Sequence, residues 1–164
     1  MKVLDIYAGK EHNLSEQFPN AEVEHIIITD VDQCYGEYDV VYCSHALQSI
    51  NRTQVPVVID MMKKRTKQGG ELWLFTPSLE WAAGEILKNE PNPLVQAVLF
   101  GFDNQNRTGF TLLWLRALLE NAGMITRRAN QGPYQVNVND QVETLPQNIV
   151  IAMRYDTPAD PGVY

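Results

Sequence analysis

Lys2-Val3-Leu4-Asp5-Ile6-Tyr7-Ala8-Gly9 is the stretch on which the fold turns. Its first six residues are short and apolar-rich, and they run straight into small residues, as a strand does when it ends in a tight turn. Two further runs of this kind follow. Residues 22–29 carry Val23, His25, Ile26, Ile27 and Ile28 and end at the acidic pair Asp30 and Asp32. Residues 39–43, Asp39-Val40-Val41-Tyr42-Cys43, follow Gly36 and end at Ser44 and His45. Continuous apolar runs suit strands covered on both faces, the habit of parallel sheets.

The segments between them read as helices and turns. Residues 12–18 predict a brief helix, capped by Asn13 or Ser15 and closed by Pro19-Asn20. Residues 53–68 predict a longer one: Val55, Val58, Ile59, Met62 and Arg65 recur at three- and four-residue spacing, Pro56 sits in the tolerated first turn, and Gly69-Gly70 ends it. Residues 71–76 form the next strand, and Ser78 caps a helix running to Asn89, where Pro91 and Pro93 break the pattern. Residues 94–100 predict a short helix, and residues 101–109 a polar loop. Thr111 caps the best-patterned helix, whose apolar stripe is Leu112, Leu115, Leu118 and Leu119, with Gly123 just past its end. Residues 124–128, 134–138 and 148–155 read as strands, with turns at Gly132-Pro133 and Asn139-Asp140.

Strands alternating with helices predict an α/β fold, a mostly parallel sheet with helices on both faces and an antiparallel pair at the C-terminus. The 164 residues fit a single domain, with residues 155–164, which contain two prolines and no periodicity, as a surface tail. In such sheets ligands bind at the carboxyl ends of the strands. The candidate clusters are therefore Tyr7-Ala8-Gly9, Asp30 with Asp32, Ser44-His45 and Thr76-Pro77-Ser78.

Composition narrows the class. With 45% hydrophobic and 20% charged residues, the chain is neither a disordered segment nor a disulfide scaffold. Thirteen basic against twenty acidic residues leave a net charge of −7, which repels phosphate backbones and anionic lipid and argues against general nucleic-acid binding. No apolar run approaches the ~20 residues that cross a bilayer, and the start lacks the apolar core of a signal peptide; a cytoplasmic location is expected. Cys34 and Cys43 match neither a redox pair nor a zinc half-site, and His12 and His25 have no metal-ligand spacing, so no metal is expected. Lys63, Lys64, Arg65 and Lys67 suit the last turn of a helix. Apolar side chains around Trp73, Trp81 and Phe100 exceed what one small domain buries, which predicts a homodimer.

Together, residues 3–9, residues 38–47 (Tyr38-Asp39-Val40-Val41-Tyr42-Cys43-Ser44-His45-Ala46-Leu47) and residues 69–77 (Gly69-Gly70-Glu71-Leu72-Trp73-Leu74-Phe75-Thr76-Pro77) resemble class I S-adenosylmethionine-dependent methyltransferases in order and spacing. Small members of that family carry a similar Tyr-Asp-x-Val-Tyr-x-Ser-His segment after which Leu-Glu-His follows. They also carry a Gly-Phe-Thr segment before a helix that ends in Leu-Leu-Glu-x-Ala-Gly. Gly109-Phe110-Thr111 and Leu118-Leu119-Glu120-Asn121-Ala122-Gly123-Met124 mirror the latter, and the resemblance covers residues 2–125.

The resemblance implies a Rossmann-like methyltransferase fold, reduced in size, because residues 8–38 leave room for one strand and helix fewer than the family has. It implies S-adenosylmethionine as cofactor, with Asp5, Tyr7, Ala8 and Gly9 forming the turn beneath its amino-acid portion. Tyr7 stands where the family's first glycine is expected. Asp30, with Asp32 as second choice, matches the acidic residue that accepts from the ribose hydroxyls. That holds if residues 22–29 are the family's second strand; if they are the third, the carboxylate sits nearer the adenine. Cys43, Ser44 and His45 end the strand that lines the reacting methyl and the acceptor, and His45 orients the substrate or acts as a base. The family's Leu-Glu-His is Leu47-Gln48-Ser49 here, and the loop containing Asp103 and Arg107 approaches the acceptor. Two functions follow: a methyltransferase acting on a small-molecule or protein acceptor, or a reduced methyltransferase scaffold that binds no cofactor and serves as a binding or assembly module.

Overall fold

The computed structural model describes residues 1–88, 93–101, 105–138 and 141–156. The chain order is β1 (Lys2–Tyr7), β2 (Glu22–Ile27), β3 (Tyr38–Ser44), α1 (Val55–Arg65), β4 (Thr66–Pro77), α2 (Leu79–Leu87), α3 (Pro93–Phe100), α4 (Leu112–Asn121), β5 (Met124–Val138) and β6 (Gln141–Arg154). Among the described residues these six strands form one sheet in the order β2-β1-β3-β4-β6-β5. The first four are parallel, β6 runs antiparallel to β4, and β5 pairs antiparallel with β6.

Strand alternation sorts the core into two layers. On one face Leu4, Ile6, Val41, Cys43, Leu72 and Leu74 are fully buried beneath Val55, Ile59 and Met62 of α1 and Leu115 and Leu119 of α4. Burial of each such aliphatic side chain contributes roughly 1.5–3 kcal/mol, so this layer dominates the stability. On the other face Val3, Val40 and Tyr42 are covered by Leu14 and Phe18, which lie in the connection between β1 and β2. Phe18 meets Tyr42 and Trp73 edge-on, at ring-centroid distances of 6.1 and 5.3 Å. Over the distal part of the β5–β6 hairpin, Ala82 of α2 and Val95 and Val98 of α3 pack with Leu145.

Several local expectations are revised. Residues 12–18 make only a turn at residues 15–17, and no helix follows β1. The helix expected over residues 53–68 spans Val55–Arg65, and Thr66 begins β4 opposite Tyr38. Gly69, at φ 76°, lies in the irregular register between the Tyr38–Thr66 and Val40–Glu71 pairs. A Cβ on Gly70 would stand 2.9 Å from the Asp39 carbonyl oxygen, so the close approach of the two backbones requires glycine there. The glycine pair therefore shapes a strand rather than stopping a helix. Residues 124–138 run as one long strand through Gly132-Pro133, where a turn was expected. The anticipated helix end at Asn89, the break at Pro91, the turn at Asn139-Asp140, Asp103 and most of the tail fall outside the described residues. No helix of the described residues is long and apolar enough to cross a membrane.

The strand that left two alignments open is placed by pairing. β2 lies directly against β1, with Lys2 opposite Glu22 and Tyr7 opposite Ile27. In doubly wound sheets the second strand lies beside the first and the third lies outside it. Glu22–Ile27 occupies the second-strand position, and the sheet ends there.

Candidate functional site

At the carboxyl end of β1 the chain places one buried carboxylate between two imidazoles. Asp5 is wholly buried and lies opposite His25 of β2 in the strand register. Its Oδ1 is 2.7 Å from His12 Nδ1, and its Oδ2 is 2.9 Å from His25 Nδ1 and accepts the His12 backbone N–H at 3.0 Å. Burial works against the charge on Asp5, but the ring and backbone of His12 and the ring of His25 outweigh it and hold the carboxyl below its ordinary range. An ionised carboxylate only accepts, so both Nδ1 atoms donate and each ring keeps Nε2 away from Asp5. The backbone bond also ties down the turn that begins at Ala8, which is half-buried against the core. Tyr7, Gly9, Lys10, His12, Asn13 and His25 are among the walls of a cavity of about 580 Å³. A Cβ on Gly9 would meet nothing within 4 Å, so the backbone there is open to a ligand.

Past the end of β3 the chain enters a left-handed conformation at His45, φ 51°, a region that non-glycine residues rarely visit. The His45 N–H donates to the Phe75 carbonyl at 2.9 Å, and its ring lies against Tyr134 with centroids 4.3 Å apart. Gln147 Nε2 donates to the Pro133 carbonyl at 3.3 Å, which turns Gln147 Oε1 toward His45 Nε2 at 2.9 Å. His45 Nε2 is therefore the protonated nitrogen, and Nδ1 carries the lone pair. Burial pushes the imidazole down to about 4, partly offset by the Gln147 bond, so the ring is neutral at neutral pH. His45, Gln48, Pro77, Asn106 and Tyr134 help to wall a second cavity, of about 410 Å³.

The remaining candidates disperse. Cys43 is fully buried in the main core, where burial pushes its thiol up to about 12. Ser44 is buried and, like Cys43, lines none of the cavities described here. Asp30 ends a single 3-10 turn after β2 and accepts from the Thr29 hydroxyl at 3.1 Å. Asp32 is exposed and lines a third cavity of about 450 Å³ between that turn and α1. Thus Tyr7 and Gly9 line one cavity, with Asp5 buried behind the His12 and His25 that share its wall, while His45 borders another and Asp32 a third. Sequence reasoning assigns no site role to His12 and His25, considered only as metal ligands, nor to Tyr134 and Gln147, and Gln48 enters it only as the counterpart of the family's glutamate. Among the four, His25 carries a signal: it shares the alternate face with Val23 and interrupts an apolar run opposite Asp5.

No family model matches the sequence, and no curated protein matches it. Solved structures do. A Bacillus halodurans protein assigned as a methyltransferase superposes with a TM-score of 0.62 at 15% identity, over 92% of this chain and 90% of that one. An S-adenosylmethionine-dependent methyltransferase of Anabaena variabilis gives 0.61 at 12% identity, over 93% and 76%. One from Methanosarcina mazei gives 0.57 at 13%, over 94% and 92%. The chain has the class I methyltransferase fold. In this chain the Asp5 cluster lies at the end of β1 and the His45 cavity beyond β3, beside the C-terminal hairpin. The near-complete coverage of two of these neighbours also means that the chain is not short against them.

Proposed function

We propose that this chain binds S-adenosylmethionine across the carboxyl ends of β1, β2 and β3 and methylates an acceptor seated beside His45. The observation that carries the reading is the turn after β1. Asp5 pins it through the His12 backbone N–H, and Gly9 presents open backbone to a cavity of about 580 Å³. These residues fit the amino-acid portion of the cofactor, which needs close backbone approach and hydrogen-bonding partners. Asp30 and Asp32 follow the second strand and are the candidates for the ribose hydroxyls. Bound there, the cofactor supplies a methyl group on a sulfonium that is already a good leaving group. The protein then has mainly to orient the acceptor and exclude water. His45, neutral and fixed by Gln147, has Nδ1 left to accept a hydrogen bond and orient the acceptor, while burial makes it too weak a base to hold the proton the substrate loses.

A second reading is favoured by one specific observation. Residues 8–21 contain no helix, so no helix N-terminus faces the cofactor site, and Tyr7 occupies the position of the family's first glycine. On this reading the chain is a methyltransferase scaffold that serves as a binding module. Calorimetric titration with S-adenosylmethionine and S-adenosylhomocysteine decides between them. Binding that Gly9→Val weakens supports the enzyme, and absence of binding at millimolar ligand leaves only the scaffold. Asp30→Ala and Asp32→Ala then identify the ribose ligand, since only that substitution reduces affinity sharply.

A further inference from the structure

The cavity of about 410 Å³ beside His45 is polar without being basic. Its walls carry six side chains with hydrogen-bonding groups: His45, Gln48, Gln105, Asn106, Tyr134 and Gln135. Four of these are amides, which donate and accept hydrogen bonds but take no proton near neutral pH. Among the described residues no Asp, Glu or Lys lines the space. Of these walls, only the imidazole and the phenol could remove a proton from a bound molecule.

Neither is arranged to do so. In hydrolytic triads the histidine that serves as base is backed by a carboxylate, which stabilises the imidazolium that forms. His45 has the amide oxygen of Gln147 in that place, 2.9 Å from Nε2, and a neutral oxygen holds an imidazolium less firmly than a carboxylate does. Burial acts in the same direction and pushes the imidazole down to about 4. The Tyr134 phenol is pushed up to about 12 by burial and keeps its proton at neutral pH.

A site of this kind discriminates between attacking atoms. An unprotonated ring nitrogen forms its bond to the methyl carbon as the carbon–sulfur bond breaks and its electron pair returns to sulfur, and no proton has to leave. A thiol ionises near ~8.5 without help and is strongly nucleophilic once ionised. A hydroxyl must pass its proton to a base as it attacks, and these walls supply none.

We propose that the acceptor seated in this cavity attacks through sulfur or an unprotonated ring nitrogen, and not through a hydroxyl oxygen. The substrate class rests on the methyltransferase reading above, whereas the want of a base in the walls does not. Two measurements on the full chain test the two parts separately. Without cofactor, NMR of the His45 imidazole nitrogens should show one neutral ring, protonated at Nε2, from neutral pH down to ~5; a titration midpoint near ~6.5 overturns the proposal. Once calorimetry has established S-adenosylmethionine binding, the loaded protein is offered benzimidazole, p-thiocresol and p-cresol, flat aromatics that differ in the attacking atom, and products are read by mass spectrometry against a control without protein. Methylation of the nitrogen or the sulfur should exceed that of p-cresol by about a hundred-fold or more, the lower end of what a positioned base supplies. Comparable methylation of p-cresol, or methylation of neither benzimidazole nor p-thiocresol by protein that binds the cofactor, overturns the proposal. Failure to bind S-adenosylmethionine sinks the preceding reading instead, and the His45 titration still decides whether the walls hold a base.

Discussion

Asp5 and His45 respond to acid in different windows, and the difference identifies each. Asp5 is ionised in the fold and its pKa is lowered there from 3.8, because the bonds from His12 and His25 outweigh the burial that opposes its charge. Its contribution is complete at neutral pH and is lost as pH falls below that value. His45 is held down to about 4 by burial, while the unfolded imidazole titrates near ~6.5. Between those values the unfolded chain binds a proton that the folded chain does not, so stability declines as pH falls from 6.5 toward 4. Urea midpoints measured across this range in His45→Gln should show a flatter profile between pH 4 and 6.5, with the lower limb unchanged. An unaltered slope would mean that His45 titrates normally in the fold. At pH 7, Asp5→Asn places an amide N–H₂ against a donating Nδ1 and removes the charge that both rings address. The expected loss is about 2–3 kcal/mol in a denaturant melt, and a loss below ~0.5 kcal/mol would show that the cluster does not hold the β1 turn.

Elements whose signals are local were legible in the sequence, and those whose signals are not were misread. Ser78 and Thr111 were recognisable as caps because a cap is one side chain reaching a backbone N–H three residues on. Ser78 Oγ accepts from Trp81 N–H and Thr111 Oγ1 from Trp114 N–H, both at 3.1 Å. The apolar spacing of α1 and α4 likewise placed Val55, Ile59, Leu115 and Leu119 in the core. Gly69-Gly70 misled because a glycine pair has the same appearance at a helix end and in an irregular strand. Only the Asp39 carbonyl, distant in sequence, distinguishes the two. The continuity of β5 through Gly132-Pro133 depends on β6, which supplies Gln147 and Pro146 as partners. The bond between Gln147 and His45 spans the fold in the same way, as do the bonds of the Arg107 and Thr108 N–H groups to the Gln48 carbonyl, and none of them has a local signature. Thr111 is the cleaner of the two caps, since Gln131 also bonds Ser78. Thr111→Ala should cost about 1 kcal/mol, and Thr111→Ser should restore most of it. Equal losses in both variants would place the effect in packing rather than in the cap.

At the scale of the molecule the two sheet faces are unequal. α1 and α4 cover one face along its length, whereas on the β1–β3 side of the other the cover is a connection that contributes Leu14 and Phe18. β2 is the strand this arrangement leaves weakest, because among the described residues its backbone pairs with β1 alone and it has no fully buried residue, while β3 lies between β1 and β4 with most of its side chains buried. The turn after β2 ends in Asp30, so the edge and the candidate ribose site open together. Local stability in a fold follows buried apolar contact and shielding of backbone bonds. Native-state hydrogen exchange should therefore find the bonded amides of residues 40–43 and 72–75 the slowest in the chain, opening only with global unfolding. Those of β2 that bond to β1 should exchange more than about ten-fold faster through local opening. Saturating S-adenosylmethionine, if it spans the ends of β1 and β2, should close much of that gap, because a ligand that binds only the closed edge shifts its opening equilibrium by mass action. Protection of β2 equal to that of β3 in the free protein would show instead that the edge and the core unfold as one unit. Cofactor binding would then have no separate edge to order.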